Sequence, residues 1–269
     1  MIEQRRPLGG DPVDLALAGL IGPVSAALDS DRKAAPQVVD VGGGSGTRAV
    51  PLAIAGCRVT VVDSSVDALA ILHRRAEDAG VADRVAGVQA DADLLGTVVP
   101  SGTADLVLCH HLLEEVDDPA AVVGALAAAV RPGGQVSVLV AGRLGAILGQ
   151  TLAGRFAEAQ AMLTDPQGRY FGTDPLRRRY DVSGIGELLA AAGLSVTSVT
   201  GVGVLSGLVS GAARQSTPGG DGALAGLEVL AAAHPALREI ATDLHVVATR
   251  PSTADSRIES EPVTDSGPR

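Results

Sequence analysis

Residues Val38-Val39-Asp40-Val41-Gly42-Gly43-Gly44-Ser45-Gly46 set a short β-branched run against an acid and then four glycines in five positions. A run of this kind reads as a strand buried on both faces, the habit of a parallel sheet. The glycines let the chain turn hard and let a ligand lie against bare backbone. Thr47 to Ala55 then reads as a helix, whose unpaired N–H groups face whatever occupies the turn. Working outward, Arg58-Val59-Thr60-Val61-Val62-Asp63 is a second strand, ending in an acid 23 residues beyond Asp40. An acid at that distance commonly grips ribose hydroxyls, so the two strands together point to a nucleoside-containing cofactor.

The order of the turn narrows the cofactor. The dinucleotide fingerprint Gly-x-Gly-x-x-Gly feeds a pyrophosphate to a helix terminus. Here the order is Asp40-x-Gly42-x-Gly44-x-Gly46, with an acid ahead of the first glycine. A carboxylate is poorly placed against phosphate and well placed for an ammonium, such as that of the methionine moiety of S-adenosylmethionine. Further along, the strand Val85 to Ala90 is followed by Asp91-Ala92-Asp93. The strand Ala104 to Cys109 runs into His110-His111-Leu112-Leu113-Glu114-Glu115-Val116-Asp117-Asp118-Pro119. A helix follows, and then Val130-Arg131-Pro132-Gly133-Gly134-Gln135-Val136.

These five motifs, in this order, resemble the S-adenosylmethionine-dependent methyltransferases of the Rossmann-like type, over roughly residues 11 to 250. The resemblance implies a cofactor set of Asp40, Gly42, Gly43, Gly44, Gly46, Asp63, Ser64, Asp91, Ala92 and His110, with the Asp91 segment at the adenine amino group. It also implies a His110 that packs the methionine part, orients the acceptor or acts as a base, since an imidazole titrates near neutrality. A finer resemblance is to the bacterial tRNA 5-carboxymethoxyuridine methyltransferases, which esterify a carboxylate on the wobble uridine. It rests on His110-x-x-Leu113-Glu114-x-Val116-x-Asp118-Pro119, Ala153-Gly154-x-Phe156, Ala192-Gly193, Thr200-Gly201-Val202-x-Val204 and Leu244-His245-Val246-Val247-Ala248-Thr249-Arg250. Three places depart from that group's pattern. Its tryptophan after the glutamate is Glu115 here, its lysine-rich stretch is Thr164 to Gly168, and its asparagine after strand five is Gly142.

The 269 residues suffice for one large domain with a single core. Capping helix residues precede it at 1–36, with Leu15, Leu20, Val24 and Leu28 on a helical face, and the methyltransferase domain is expected over 37–250. The tail 251–269 is rich in Ser, Pro, Asp and Glu and reads as disordered. A net charge of −10 argues against a broad nucleic-acid surface, because phosphate neutralisation needs clustered cations, but it leaves room for a local RNA site. The two cysteines, Cys57 and Cys109, fall at strand ends and read as small core residues, with no metal or disulfide spacing. No apolar leader and no membrane-length run is present, so a cytoplasmic protein is expected.

Strand and helix alternate to about residue 140, as in a parallel sheet with helices on both faces. Strand five is read as Gln135 to Val140, strand six as Ser195 to Val199, and the closing strand as an antiparallel one after a helical insert near Ala223 to Ala233. The expected fold is therefore α/β, Rossmann-like, with a mostly parallel seven-stranded sheet, an antiparallel last strand and a helical lid at 142–181 after strand five. The chain's four aromatic residues, Phe156, Tyr170, Phe171 and Tyr180, all lie in that lid. Five of the twenty arginines lie among them, between residues 155 and 180: Arg155, Arg169, Arg177, Arg178 and Arg179. Aromatic rings stack planar groups and guanidinium forks clamp anions. Tyr170, Arg177, Arg178, Arg179 and Tyr180 are thus the expected contacts of the methyl acceptor, a small molecule or a tRNA wobble nucleoside. The competing expectation is a lid whose aromatics fill its own small core and whose arginines are solvated.

Overall fold

The computed structural model describes residues 35–170, 172, 174–209 and 220–252, together with Val13, Ala16, Leu17, Gly19 and Leu20. The strands are β1 (Gln37–Val41), β2 (Arg58–Asp63), β3 (Val85–Gln89), β4 (Ala104–His110), β5 (Val130–Ala141), β6 (Ser195–Val202) and β7 (Asp243–Thr249). They form one seven-stranded sheet in the order β3-β2-β1-β4-β5-β7-β6. β1 to β5 pair in parallel, and β7 runs antiparallel to both β5 and β6. Chain order reverses between β1 and β4, which opens a crevice beyond their carboxyl ends.

The helices are α1 (Ala49–Ile54), α2 (Val66–Asp78), α3 (Leu95–Val98), α4 (Pro119–Ala129), α5 (Arg143–Leu152), α6 (Phe156–Thr164), α7 (Val182–Ala191) and α8 (Gly220–Ala233). Alternation along the strands sends Val39, Val41, Val107, Cys109, Val136 and Val138 to the face that also buries Leu126 of α4 and Leu189 of α7. Val38, Leu106, Leu108 and Leu139 go to the other face, with Leu52 of α1, Leu72 of α2, and Val13 and Leu17. Each fully buried Leu or Val side chain contributes on the order of 1.5–3 kcal/mol, so these two layers fix which face each strand residue takes. Burial also raises the pKa of both cysteine thiols, Cys57 to about 11, and neither is a nucleophile near neutral pH.

Local chemistry sets the helix starts. Ser65 accepts from Ala68 N at 3.2 Å and caps α2; Asp118 accepts from Ala121 N at 3.0 Å and caps α4, with Pro119 at its first position; Asp181 accepts from Gly184 N at 2.7 Å and caps α7. The Asp118-Pro119 pair is therefore a helix start.

Several boundaries differ from the sequence expectation: β6 runs on from Val199 to Val202, the helix before β7 begins at Gly220, and two others bear on the site. The helix after the glycine turn begins at Ala49 and not at Thr47, because the turn runs on through Arg48. β5 begins at Val130, so Arg131 to Gly134 belong to the strand and are not a turn before it. Gly133 N donates to Arg250 O at 2.7 Å and Arg250 N to Gly134 O at 3.0 Å, which ties this stretch to the chain leaving β7. The expected residues Leu15, Val24, Leu28 and Phe171, and the tail beyond Ser252, lie outside the described residues. Among the described residues no helix is long and apolar enough to cross a membrane.

Candidate functional site

A cleft of about 600 Å³ lies beyond the carboxyl ends of β1 to β4. Gly42, Asp63, Ser64, Asp91 and Ala92 line one side, and Leu112, Val116, Asp117 and Asp118 the other. Half of the residues expected for the cofactor thus border one space, although they come from three different strand ends.

The turn is shaped around two carboxylates. Gly42, Gly44 and Gly46 have φ of 72°, 54° and 78°, conformations that cost an L side chain energy. Gly44 N and Ser65 N donate to the two carboxylate oxygens of Asp63 at 2.8 and 2.9 Å, so Asp63 braces the turn from the end of β2. Asp40 lies beneath the turn, only 2% exposed. A Cβ on Gly43 would sit 2.5 Å from its Oδ2, so glycine is what allows this approach. That Oδ2 is buried with no hydrogen-bond partner. Burial pushes the Asp40 pKa up to about 7; Arg48 works in the opposite direction and Asp63 adds to the rise. A buried, unpartnered carboxylate oxygen under a side-chain-free turn fits a cationic ligand group, the ammonium that the sequence implies.

His110 ends β4, and its ring is largely buried. Nε2 lies 3.0 Å from Ser137 Oγ, which lies 2.7 Å from His245 Nε2, so a polar chain crosses β4, β5 and β7. Nδ1 is buried without a partner. Burial, with His245 and Arg48 nearby, holds the His110 pKa well below the ordinary value. The imidazole is neutral near pH 7 and a poor base, so the arrangement favours packing and orientation over proton removal.

His111, the next residue, is different. Its side chain is 52% exposed, and its Nδ1 lies 3.2 Å from Glu114 Oε1. Glu114 is 1% exposed; its Oε1 also accepts from Ala141 N at 2.6 Å, while its Oε2 is buried without a partner. The hydrogen bond to Glu114 raises the His111 pKa, helped by Asp243 and opposed by burial and Arg48.

The lid does not present its arginines as the sequence suggested. Arg178 reaches the carbonyl oxygens of Leu113, Val116 and Asp117, holding the β4–α4 loop. Arg179 pairs with Asp174 at 2.7 Å and also reaches Gly168 O, and both side chains of that pair are buried. Tyr180 is buried, its hydroxyl donating to Leu113 O at 3.2 Å and its N–H to Ala141 O at 3.0 Å. In this arrangement the Nη donors of Arg178 and Arg179 and the hydroxyl of Tyr180 are engaged by protein oxygens, so these side chains brace the lid and the β4–α4 loop. Tyr170 and Arg177 line a separate cavity of about 890 Å³ between α6 and the segment 165–177, and exposed Arg177 pairs with exposed Asp117. Gly142, which stands for the asparagine of the resembling group, has no room for a side chain: a Cβ there would lie 2.3 Å from Ala241 O.

Sequence reasoning missed Arg48, Ser137 and His245. Arg48 acts electrostatically on Asp40, His110 and His111 together. The polar Ser137 inside the apolar run Val136 to Ala141 was the available signal for the chain through His245. Among the described residues no group of three or more His, Cys, Asp or Glu side chains is arranged to hold a metal ion.

A family model described as a methyltransferase domain matches residues 16–199. The tRNA 5-carboxymethoxyuridine methyltransferase of Escherichia coli K12 is 30% identical over 166 residues, which are 62% of this chain and 62% of that protein. The ubiquinone biosynthesis O-methyltransferase of Ralstonia nicotianae is 42% identical over 103 residues, covering 38% of this chain and 42% of that protein. The chain thus matches about three fifths of the first relative's length and less than half of the second's. The crystal structure of magnesium protoporphyrin IX methyltransferase from Synechocystis PCC 6803 with bound SAH superposes with a TM-score of 0.52 at 17% identity. That likeness covers 88% of this chain and 84% of the other, and it speaks for the fold.

Proposed function

The chain belongs to the methyltransferase domain family, and from that premise we propose that it is an S-adenosylmethionine-dependent methyltransferase acting on a carboxylate or other anionic acceptor. The observation that supports the cofactor most directly is the buried, unpartnered Asp40 oxygen under the Gly42–Gly46 turn, at the edge of a cleft that ends on Asp63. In this reading Asp40 meets the ammonium, Asp63 accepts from the ribose hydroxyls, and Ser64, Asp91 and Ala92 frame the adenine. When bound, S-adenosylmethionine supplies a methyl group on a positively charged sulfur. The glycine turn keeps side chains away from the ligand, and Leu112 gives the cleft an apolar wall. A carboxylate acceptor arrives already ionised, so the protein's task is to position it and exclude water, and no base is required.

The acceptor reading, a carboxylate on the wobble uridine of tRNA, is supported by the identity to the Escherichia coli relative and by the string from His110 to Pro119. A second reading, a small-molecule O- or N-methyltransferase, is favoured by the net charge of −10 and by Glu115, Asp117 and Asp118 along the cleft, which repel a polyanion. Titration calorimetry with S-adenosylhomocysteine tests the cofactor; no binding by the folded chain would end the proposal. Mass analysis of nucleosides in tRNA from a deletion strain tests the acceptor. The wobble-uridine reading expects the free carboxymethoxy acid to accumulate and its methyl ester to vanish, and an unchanged ester would leave the small-molecule reading.

A further inference from the structure

His111 is the sole non-glycine with positive φ among the described residues, at 54°. Holding a histidine in the left-handed region costs energy, and strain of this kind persists where the surrounding structure over-determines it, often at binding sites. The surroundings here do so. His111 N still donates to Leu139 O at 2.8 Å, extending the pairing of β4 with β5. Its Nδ1 meets Glu114, and the same Glu114 oxygen takes the N–H of Ala141 at the end of β5. The backbone carbonyl of Glu114 takes the N–H of Arg177, on the segment that closes the lid. Glu114 therefore binds strand, lid and histidine together, and His111 cannot turn without breaking that set.

The position is equally specific. His111 leaves the sheet at the point where chain order reverses; its neighbour Leu112 lines the cofactor cleft, and the lid base begins at Ala141 on the other side. Glu114 as a carboxylate only accepts, so Nδ1 is the protonated nitrogen of the pair. Nε2, on the far edge of a half-exposed ring, is turned away from it.

An anionic acceptor needs a donor or a cation at this junction, and the lid arginines Arg178 and Arg179 are held by internal partners. We infer that His111, oriented by Glu114, is the group that receives the anionic oxygen of the methyl acceptor, donating to it from Nε2. This rests on the anionic-acceptor reading above. The charges around the ring agree with it. Glu114 and Asp243 raise the proton affinity of His111, Arg48 and burial lower it, and neighbouring His110 stays neutral; the net direction is upward. His111 keeps its proton throughout transfer, and Glu114 is a positioning residue that acts through it.

The test compares His111→Asn, which tolerates the left-handed backbone but loses the charge, with His111→Gly, which relieves the strain, and with Glu114→Gln. The acceptor probe is tRNA carrying 5-carboxymethoxyuridine, and S-adenosylhomocysteine calorimetry is the folding and cofactor control. Both His111 variants should raise the KM for the tRNA about tenfold or more while leaving calorimetry nearly unchanged. Wild-type kcat/KM should fall as pH rises through the His111 pKa, and Glu114→Gln should move that fall to lower pH. Unchanged KM in His111→Asn, full activity in His111→Gly, or a rate that rises over the same pH range would each overturn the inference. If wild type binds S-adenosylhomocysteine but does not methylate this tRNA, the wobble-uridine reading has failed, and His111 is judged by ring-nitrogen NMR with methoxyacetate as probe. The probe should raise the His111 pKa in the wild-type chain; no effect on that ring would overturn the inference whatever the acceptor.

Discussion

Replacing Asp40 by Asn should make the free protein more stable at neutral and alkaline pH and bind S-adenosylmethionine more weakly. The magnitude follows from burial. The carboxyl is 2% exposed, one oxygen lacks a partner, and its pKa is raised from 3.8 to about 7. Below about pH 3.8 the folded and unfolded chains both hold this proton, and Asp40 costs nothing. Between 3.8 and about 7 the folded chain retains a proton that the unfolded chain has released, so stability falls as pH rises. At about 1.36 kcal/mol per unit, the loss reaches up to about 4 kcal/mol above the folded pKa, and Asn removes it. A ligand ammonium would instead draw the carboxylate into its charged form. Cofactor binding below the Asp40 pKa should then release a proton, with affinity rising as pH approaches about 7. Thermal melts of both proteins from pH 5 to 9 check the first part, and calorimetry in buffers of differing ionisation enthalpy checks the second. An Asn variant that melts no higher than wild type at pH 8, and a heat of binding independent of buffer, would refute the argument from burial.

Other consequences are sharper in contrast than alone. Gly43→Ala should lose more cofactor affinity than Gly44→Ala, because a Cβ at 43 strikes the Asp40 carboxylate at 2.5 Å, whereas one at 44 meets only Asp63 Oδ2 at 3.8 Å. Gly44→Ala should cost about 1–2 kcal/mol of stability from its positive φ; equal affinity losses in calorimetry would refute the distinction. Asp63→Ala should weaken S-adenosylmethionine by roughly 2 kcal/mol, and should also lower the melting temperature, since Gly44 N and Ser65 N lose their acceptor. Arg179→Ala leaves the buried Asp174 carboxylate without its cation, with only the N–H groups of Tyr170 and Leu176 still donating to it, and should cost up to about 3–5 kcal/mol. Arg177→Ala breaks only an exposed pair and should cost less than about 1 kcal/mol in the same denaturation series.

Sheet and turn were legible in the sequence because their signals are local. A β-branched run buried on both faces, glycines that need positive φ, and an acid at the end of the next strand are read from neighbouring residues alone, and Gly42 and Asp63 border one cleft while Asp40 lies buried beneath the turn. Strand ends were less legible, because β5 gains its first residues from pairing with the chain around Arg250, more than a hundred positions away. Hydrophobic periodicity holds no information about such a partner.

The lid shows the stronger limit. Composition put every aromatic and five arginines between residues 155 and 180, and their chemistry suits an anion clamp as well as a brace. Which of these forms depends on how many carbonyl oxygens and carboxylates lie within reach. The β4–α4 loop offers Arg178 three carbonyls, and Asp174 offers Arg179 a buried carboxylate. A guanidinium enclosed by such partners gains little from leaving them for a ligand. The adjacent pair His110-His111 divides in the same way. The strand's alternation turns one ring into the sheet, against Ser137 and His245, while the left-handed backbone of its neighbour releases the other toward solvent and Glu114. Two identical residues, one position apart, thus acquire opposite shifts in proton affinity, and the difference arises where the strand ends.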